Sequence, residues 1–251
     1  MTDVRQLFSN KVTEYVASRP DYPAALIDDL AELPVTEDMH IADVGAGTGI
    51  FTKSLLDRGW RVSAVEPNAA MRAAADLTLK AYPRYRSVAG SAEATTLNDQ
   101  SIDLITAAQA FHWFDIERAR GEWLRILRPQ GQMALIWNDR LLTDPLQRDL
   151  EAVFADFGGA KRDVVLAHED RSSVSKFFGS ATVRKLTYSH EHRLDQEGLT
   201  SLGLSRSYMP ARNTPEGQRA IDALSELFQR YMTAGSVTVR YKTVMSIGRP
   251  A

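Results

Sequence analysis

The 251-residue chain contains no cysteine. It therefore cannot form a disulfide, use a catalytic thiolate or bind zinc through cysteines. An excess of one charge is also missing, because 30 lysines and arginines are balanced by 32 aspartates and glutamates, for a formal net charge of -2. This balance supplies no basic field to attract nucleic acid, so we expect no nucleic-acid partner.

Long apolar runs are missing as well. No run approaches the roughly 20 residues that span a bilayer, and residues 1–6 carry no apolar signal core. We therefore expect a cytoplasmic protein without a membrane partner, and both a monomer and a homodimer stay open. With 44% hydrophobic and 25% charged residues, the composition is that of an ordinary globular protein.

What the chain does contain is an alternation of strand and helix patterns between residues 40 and 138. The apolar runs predict strands at 40–44, 62–66, 84–89, 102–107 and 133–137. Helical spacing lies between them, with Asn68 and Asp115 placed to cap two of the helices. The alternation predicts an α/β fold, with a parallel sheet and helices on both faces.

The most informative motif runs from Asp43 to Gly49, where three glycines occupy every second position. Glycine lets the backbone turn sharply and approach a ligand closely, and a helix start with free N–H groups should follow. Such a strand–loop–helix corner favours a nucleotide or nucleoside ligand. Glu66 lies 21 positions after Gly45, at the tip of the next strand, where a carboxylate can accept both hydroxyls of a ribose. The alternative is a tight turn and a surface glutamate.

The spacing of Gly45, Gly47 and Gly49 after Asp43 resembles the class I S-adenosylmethionine-dependent methyltransferases. Three later segments, Gly90–Glu93, Asp103–Phe114 and Leu127–Gln132, match further motifs of that family. The resemblance covers about residues 40–138 and implies S-adenosyl-L-methionine as cofactor, with S-adenosyl-L-homocysteine as product. It also implies a Rossmann-like fold, with a mainly parallel seven-stranded sheet, an antiparallel last strand, an N-terminal helical arm and a helical lid insertion.

A narrower resemblance extends to most of the chain. Tyr15, Arg19–Pro23, Ala110–Phe114 and Arg240–Thr243 are similar to the type 11, trans-aconitate methyltransferase-like subgroup. That subgroup methylates small molecules, so the resemblance implies a small-molecule acceptor, methylated on oxygen or nitrogen, with carboxylates among the candidates. The chain departs from the family pattern in two places. Ser91 stands where many members have an aspartate that binds the adenine amino group, and Gln130 replaces a common glycine.

This likeness predicts four segments. Residues 1–35 form the arm, 36–139 the cofactor-binding core and 140–180 the lid insertion. Residues 181–251 supply the remaining core strands, with lid helices near 196–232. The predicted cofactor-binding residues are Asp43, Gly45, Ala46, Gly47, Thr48, Gly49, Glu66, Pro67, Met71, Ser91, Ala92, Glu93, Gln109 and Phe111.

His112 and Trp113 are the candidate catalytic residues, because they follow the fourth strand at the sheet edge where ligands bind. His112 can act as a general base, as an orienting hydrogen-bond donor, or as a buried structural histidine. Trp113 either forms a wall of the methyl-transfer site or packs in the core. The candidate substrate or arm residues are Tyr15, Arg19, Tyr22, Arg206 and Tyr208. Arg19 can pair with a carboxylate of the cofactor or substrate, and a plain surface arginine is the alternative.

A metal site is not expected. His190 and His192 share a strand face by alternation, but no carboxylate is spaced to complete a ligand set. Three other functions stay open: a nicotinamide-dependent oxidoreductase, a nucleic-acid methyltransferase and a non-catalytic ligand-binding relative. The first is disfavoured because the G-x-G-x-x-G glycine is missing and Ile50 follows Gly49 directly. Neutral charge disfavours the second.

Overall fold

The computed structural model describes residues 18–33, 38–168 and 171–250. Its strands are β1 His40–Val44, β2 Arg61–Val65, β3 Tyr85–Val88, β4 Ile102–Ala108, β5 Leu127–Arg140, β6 Arg184–Leu194 and β7 Val237–Gly248. They form one sheet in the order β3-β2-β1-β4-β5-β7-β6. Neighbouring strands from β3 to β5 pair in parallel, and β7 is the antiparallel strand. The predicted α/β fold and sheet are therefore confirmed.

The helices lie between the strands, as the alternation predicted. They are α1 Ala24–Ala31, α2 Ile50–Asp57, α3 Ala69–Leu79, α4 Ile116–Ile126, α5 Pro145–His168, α6 Ser172–Phe178, α7 Gln196–Leu204 and α8 Pro215–Tyr231. Helix α5 is kinked at Gly159, where φ is 50°. Asn68 accepts hydrogen bonds from the N–H groups of Ala70 and Met71, and Asp115 accepts one from that of Arg118. Both predicted N-caps are thus confirmed.

Alternate residues of the central strands enter two separate hydrophobic cores. Ile41 and Leu104 belong to one core, whereas Ala42 and Ile105 belong to the other. The first core is closed by α1, α2 and α3, and the second by α4 and α6. This period-2 division explains why the strands are apolar throughout, since both faces of the sheet are covered by helices.

The start of β5 differs from the predicted strand at 133–137. The strand begins at Leu127, which pairs with Ile102, and the next pairing joins Leu104 to Gln132. The residues between them bulge out of the ladder. Gly131 is required there, because a Cβ atom would lie 2.9 Å from the backbone oxygen of Asp103. Pro129 and Gly131 therefore lie in a bulge within a longer strand.

The chain divides into two compact units. The first unit comprises Asp21–Asn138, Asp170–Tyr188 and Thr243–Ala251, and it contains both sheet cores. The second unit comprises Met1–Pro20, Asp139–Glu169 and Ser189–Lys242, and it has its own core, built from α5, α7, α8 and parts of β6 and β7. Within the described ranges, none of the helices combines the length and apolarity that a membrane span requires.

Candidate functional site

The glycine corner, Gly45–Gly49, connects β1 to α2 in the first unit. Gly45, Gly47 and Gly49 have φ values of 72°, 57° and 83°, which side-chain-bearing residues rarely adopt. A Cβ atom on Gly45 would lie 2.5 Å from the Cβ of Ala110, and one on Gly49 would lie 2.5 Å from Leu79. A Cβ on Gly47 would meet no heavy atom within 4 Å. The outer glycines therefore pack against the protein, while Gly47 presents its backbone to open space.

Asp43 holds the base of this corner. Its side chain is buried, and its two carboxylate oxygens accept hydrogen bonds from the hydroxyls of Thr52 at 2.6 Å and Thr106 at 2.9 Å. Burial raises the pKa of Asp43 to about 6, although the two hydroxyl hydrogen bonds oppose the shift. Asp43 thus connects β1 to α2 and β4. This geometry gives it a positioning role, and direct contact with a cofactor stays a prediction.

Glu66 follows β2 and contacts the corner through its carboxylate. Oε2 accepts a hydrogen bond from the N–H of Gly47 at 3.0 Å, and Oε1 accepts one from the N–H of Asn68 at 2.8 Å. Arg72 donates to the carbonyl oxygens of Glu66 and of Pro67, which is exposed. Burial raises the pKa of Glu66, and the two backbone hydrogen bonds oppose that shift. Each carboxylate oxygen retains a lone pair that a ribose hydroxyl can use.

Thr48 carries an unsatisfied polar atom inside the corner. Its side chain is buried, and within the described ranges its hydroxyl oxygen has no hydrogen-bond partner. Buried hydroxyls without a partner are rare because they lose their hydration. The free hydroxyl of Thr48, the open space at Gly47 and the nearby Glu66 carboxylate together fit a polar nucleoside ligand.

The loop after β3 is fixed by α4. Ser91 and Ala94 exchange backbone hydrogen bonds, and the indole N–H of Trp123 donates to the carbonyl oxygen of Ala92 at 3.1 Å. The Glu93 carboxylate accepts a hydrogen bond from the N–H of Asp115. Ser91 stays partly exposed, whereas Ala92 is buried. The loop is therefore tied to α4 and its N-cap by hydrogen bonds, and Ser91 stays accessible to a ligand.

The turn after β4 carries the candidate catalytic residues. It begins at Gln109, a non-glycine residue with φ of 56°, whose N–H donates to Ile136 and whose side-chain amide donates to the carbonyl of Asn138. Such a conformation costs about 1–2 kcal/mol, and the hydrogen bonds to β5 hold it. A short 3₁₀ turn, Phe111–Trp113, follows.

Phe111 anchors this turn in the core. It is buried, and its ring packs edge-on against Phe177 at 5.0 Å and Trp137 at 6.2 Å. His112 and Trp113 are half-buried, with ring centroids 4.7 Å apart. The turn therefore exposes His112 and Trp113 in part, while a contact of Phe111 with a cofactor stays a prediction.

The sequence reasoning missed the polar groups that position this edge of the sheet. Thr52 and Thr106 hold Asp43, and Asn138 accepts a hydrogen bond from Thr243 at 2.6 Å while donating to the carbonyl of Asp21 at 3.2 Å. The signal that could have revealed these residues is a polar side chain within an otherwise apolar strand or helix. The remaining predicted residue of α3, Met71, is buried.

The candidate substrate residues fall in different places. Tyr15 lies outside the described residues. Tyr22 belongs to the first unit, where its ring lies edge-on to Phe51 at 4.7 Å. Arg19, Arg206 and Tyr208 belong to the second unit, and Arg19 donates to the carbonyl of Ser205 there. Arg140 and Tyr241 belong to the same unit, and they were not predicted as site residues from the sequence.

Metal ligands do not cluster in the described part of the chain. No group of three or more histidine, cysteine, aspartate or glutamate side chains there could hold a metal ion. The ring of His190 instead lies 6.3 Å from that of Tyr241.

The strand order, the glycine corner after β1 and the acidic residue after β2 define a Rossmann-like fold built for a nucleoside-containing cofactor. A sequence family described as a methyltransferase domain matches residues 42–135. An uncharacterized methyltransferase of Mycobacterium tuberculosis is 33% identical over 225 residues, 90% of this chain and 86% of the relative. An uncharacterized methyltransferase-like protein of Schizosaccharomyces pombe is 29% identical over 243 residues, which cover 94% of this chain and 93% of the relative.

A solved structure from Anaeromyxobacter dehalogenans, provisionally described as a type II methyltransferase, has a TM-score of 0.67 and 26% identity. The match covers 92% of this chain and 97% of that one. The chain belongs to the class I S-adenosylmethionine-dependent methyltransferases, and the type 11 subgroup fits it. S-adenosylmethionine is its cofactor. This membership decides against the oxidoreductase and non-catalytic alternatives.

Proposed function

We propose that this methyltransferase transfers a methyl group to an oxygen or nitrogen atom of a small molecule. One observation carries the proposal: the turn bearing His112 and Trp113 lies directly against the glycine corner. The contact is close, because a Cβ atom on Gly45 would lie 2.5 Å from the Cβ of Ala110. The half-buried rings of His112 and Trp113, which each carry a polar ring nitrogen, therefore lie beside the glycine corner at the carboxyl edge of the sheet.

The cofactor, when bound, supplies a methyl group on a sulfonium, and the acceptor lone pair forms the new bond while the C–S electron pair stays on sulfur. The residues of the chain then have to orient the acceptor, which can contribute roughly 7–11 kcal/mol. His112 can donate a hydrogen bond to the acceptor or remove its proton. A carboxylate acceptor has no proton to lose and needs only the first role, whereas an amine or hydroxyl acceptor gains from the second.

Within the corner, we propose that Glu66 binds the ribose hydroxyls and that Thr48 and the backbone around Gly47 contact the cofactor. Ser91 and the loop after β3 are proposed to contact the adenine, with a serine hydroxyl in place of the family's aspartate. Residues 1–35 and 140–180 are proposed to act as arm and lid. The near-neutral charge of the chain supports a small acceptor over a nucleic acid. A cytoplasmic location stays a prediction.

Turnover of methyl-tritiated cofactor against separate panels of small carboxylic acids, phenols and amines tests the proposal. Base treatment of the product then identifies the acceptor atom, because a methyl ester releases methanol whereas an aryl ether or N-methyl group does not. We expect transfer to at least one small molecule. Transfer to RNA or DNA oligonucleotides alone, with no small molecule modified, would refute the proposal.

Two substitutions separate the roles of His112. His112→Gln keeps a hydrogen-bond donor but cannot take up a proton, whereas His112→Ala loses both functions. If His112 orients the acceptor, the glutamine variant retains most of kcat and the alanine variant does not. If His112 acts as a base, kcat of both variants falls about 10²–10⁴-fold. Both variants should bind S-adenosylhomocysteine like the parent protein, and a loss of that binding would place His112 in the cofactor site instead.

A further inference from the structure

The second unit packs two guanidinium groups on one aromatic ring. The Cζ atom of Arg140 lies 5.1 Å from the ring centroid of Phe154, and that of Arg206 lies 5.4 Å from it. Tyr208 packs edge-on against the same ring. Cation–π contacts stabilise such groups in part, but they leave the N–H donors of the guanidinium planes unused.

Among the described residues, a single carboxylate, that of Glu151, forms ion pairs with Arg140 and its neighbour Arg162. Glu151 pairs with Arg140 at 2.5 Å. Arg206 forms no ion pair with any residue of the described ranges. Burial and the neighbouring Arg206 charge both lower the pKa of Arg140, as expected for two like charges that share one partly desolvated space.

Three polar atoms of this cluster have no hydrogen-bond partner in the described part of the chain. They are Nη1 of Arg140, Nε of Arg206 and the hydroxyl oxygen of Tyr241. The Tyr241 side chain is only 3% exposed. Tyr241 belongs to the same hydrophobic core as Phe154 and Tyr208. The N–H of Leu141, next to Arg140, donates to the carbonyl of Arg240, next to Tyr241, at 3.3 Å, so the two strands bring Arg140 and Tyr241 together. Burial raises the pKa of the Tyr241 hydroxyl, and the charges of Arg206, Arg19 and Arg140 oppose that shift. Unpaired donors and excess positive charge are unfavourable in a buried space unless an anion fills it.

We propose that the cluster of Arg140, Arg206 and Tyr241 binds the carboxylate group of a small organic acid. A guanidinium presents a planar pair of donors that matches a carboxylate, and the Tyr241 hydroxyl adds a third donor. The Phe154 ring supplies an apolar wall for the carbon skeleton of the acid. The cluster shares no residue with the glycine corner, so anion binding to it can be measured without the cofactor.

Calorimetry on the full chain without cofactor tests this site, with sodium malonate and citrate as probes at constant ionic strength. Malonamide, which has the shape of malonate without its charge, and inorganic phosphate are the comparison ligands. We expect saturable binding of at least one of the two acids, no binding of malonamide and weaker binding of phosphate. Because the assay contains no cofactor, its failure would leave the methyl-transfer proposal untouched.

Three variants locate the binding. Arg206→Gln should weaken it about ten- to hundredfold, since a hydrogen bond to a charged group is lost. Tyr241→Phe removes a single oxygen that forms no hydrogen bond within the described residues, so it should fold normally and weaken binding about tenfold. The control is Arg230→Gln, since Arg230 is exposed and pairs with Asp149 on the protein surface; it should bind the acids unchanged.

Thermal unfolding without ligand separates binding from structure. If Arg206 binds an anion, the Arg206→Gln variant should unfold at the same temperature as the parent protein or at a higher one, because the substitution removes an unpaired charge. Absence of saturable binding, equal affinity in Arg206→Gln and Tyr241→Phe, or preference for phosphate over both acids would each overturn the proposal.

Discussion

The carboxylate of Glu66 accepts a hydrogen bond from the backbone N–H of Gly47 at 3.0 Å. The bond joins the end of β2 to the one glycine of the corner whose Cβ position is open. The corner is therefore held in its ligand-binding shape by the same carboxylate that is proposed to bind the ribose. A loop fixed in this way loses little conformational entropy when the cofactor binds.

Replacing Glu66 by alanine should weaken the binding of S-adenosylhomocysteine about ten- to hundredfold. The expected size follows from the loss of one or two hydrogen bonds to a charged acceptor, each contributing about 1.5–3 kcal/mol. Calorimetry with the purified variant measures the change. Glu117→Ala, on the exposed side of α4, is the matched control and should bind like the parent. Unchanged affinity in Glu66→Ala would remove Glu66 from the site.

Gly47→Ala should impair cofactor binding far more than it impairs folding. The new Cβ meets no protein atom within 4 Å, so the cost to stability is the backbone strain at φ 57°, about 1–2 kcal/mol. Gly59→Ala is the matched control, because Gly59 has φ of 87° and equally open surroundings outside the corner. Urea unfolding and S-adenosylhomocysteine titration are measured on both. Equal losses of affinity in the two variants would contradict a role for Gly47 in contacting the cofactor.

The sheet was predictable because β1 and its neighbours are buried on both faces. His40–Val44 was predicted to the residue, and the flanking caps at Asn68 and Asp115 were predicted from side-chain chemistry that acts within three residues. β5 was not predicted correctly at its start. The pairing of Leu127 with Ile102 is a contact between residues distant in the chain, and no local pattern in the sequence reveals it.

The site was predictable where a motif is continuous and unpredictable where it depends on tertiary contacts. The glycines could be recognised because a positive φ demands glycine at each position. The hydroxyls that hold Asp43 could not, since Thr106 is 63 residues away in the chain and looks like any β-branched strand residue. Arg140 and Tyr241 were missed for the same reason, because their proximity requires β5 and β7 to be placed first.

Trp123→Phe should loosen the loop that is proposed to contact adenine. The substitution removes the indole N–H that donates to Ala92 at 3.1 Å and leaves a buried carbonyl without this partner. An unpaired buried acceptor costs about 1–3 kcal/mol, and the smaller ring adds a cavity. We expect a lower urea midpoint and weaker S-adenosylhomocysteine binding. Trp113→Phe, at a half-buried position, is the comparison and should reduce turnover with little effect on stability. A stability loss in Trp113→Phe together with unchanged stability in Trp123→Phe would contradict both assignments.

Asp43→Asn should make the protein more stable than the parent at neutral pH and remove part of the pH dependence of unfolding. Burial raises the pKa of Asp43 to about 6 in the folded state from 3.8 in the unfolded state. The folded protein therefore holds a proton that the unfolded chain releases between about pH 4 and 6, so this contribution to stability is complete below pH 4 and is lost as the pH rises through 6. A shift of this size corresponds to about 3 kcal/mol.

Asparagine does not titrate, and its amide can still exchange hydrogen bonds with the hydroxyls of Thr52 and Thr106. The unfolding free energy of Asp43→Asn minus that of the parent should therefore increase from pH 4.5 to pH 7.5, as measured by urea unfolding at each pH. Glu66 is present in both proteins, so its own titration largely cancels in the difference. Asp38→Asn, at a side chain 90% exposed, shows the effect of losing a carboxylate in contact with solvent. A difference between Asp43→Asn and the parent that stays constant across this range would show that Asp43 is ionised in the folded protein throughout, and that the two threonine hydroxyls fully offset its burial.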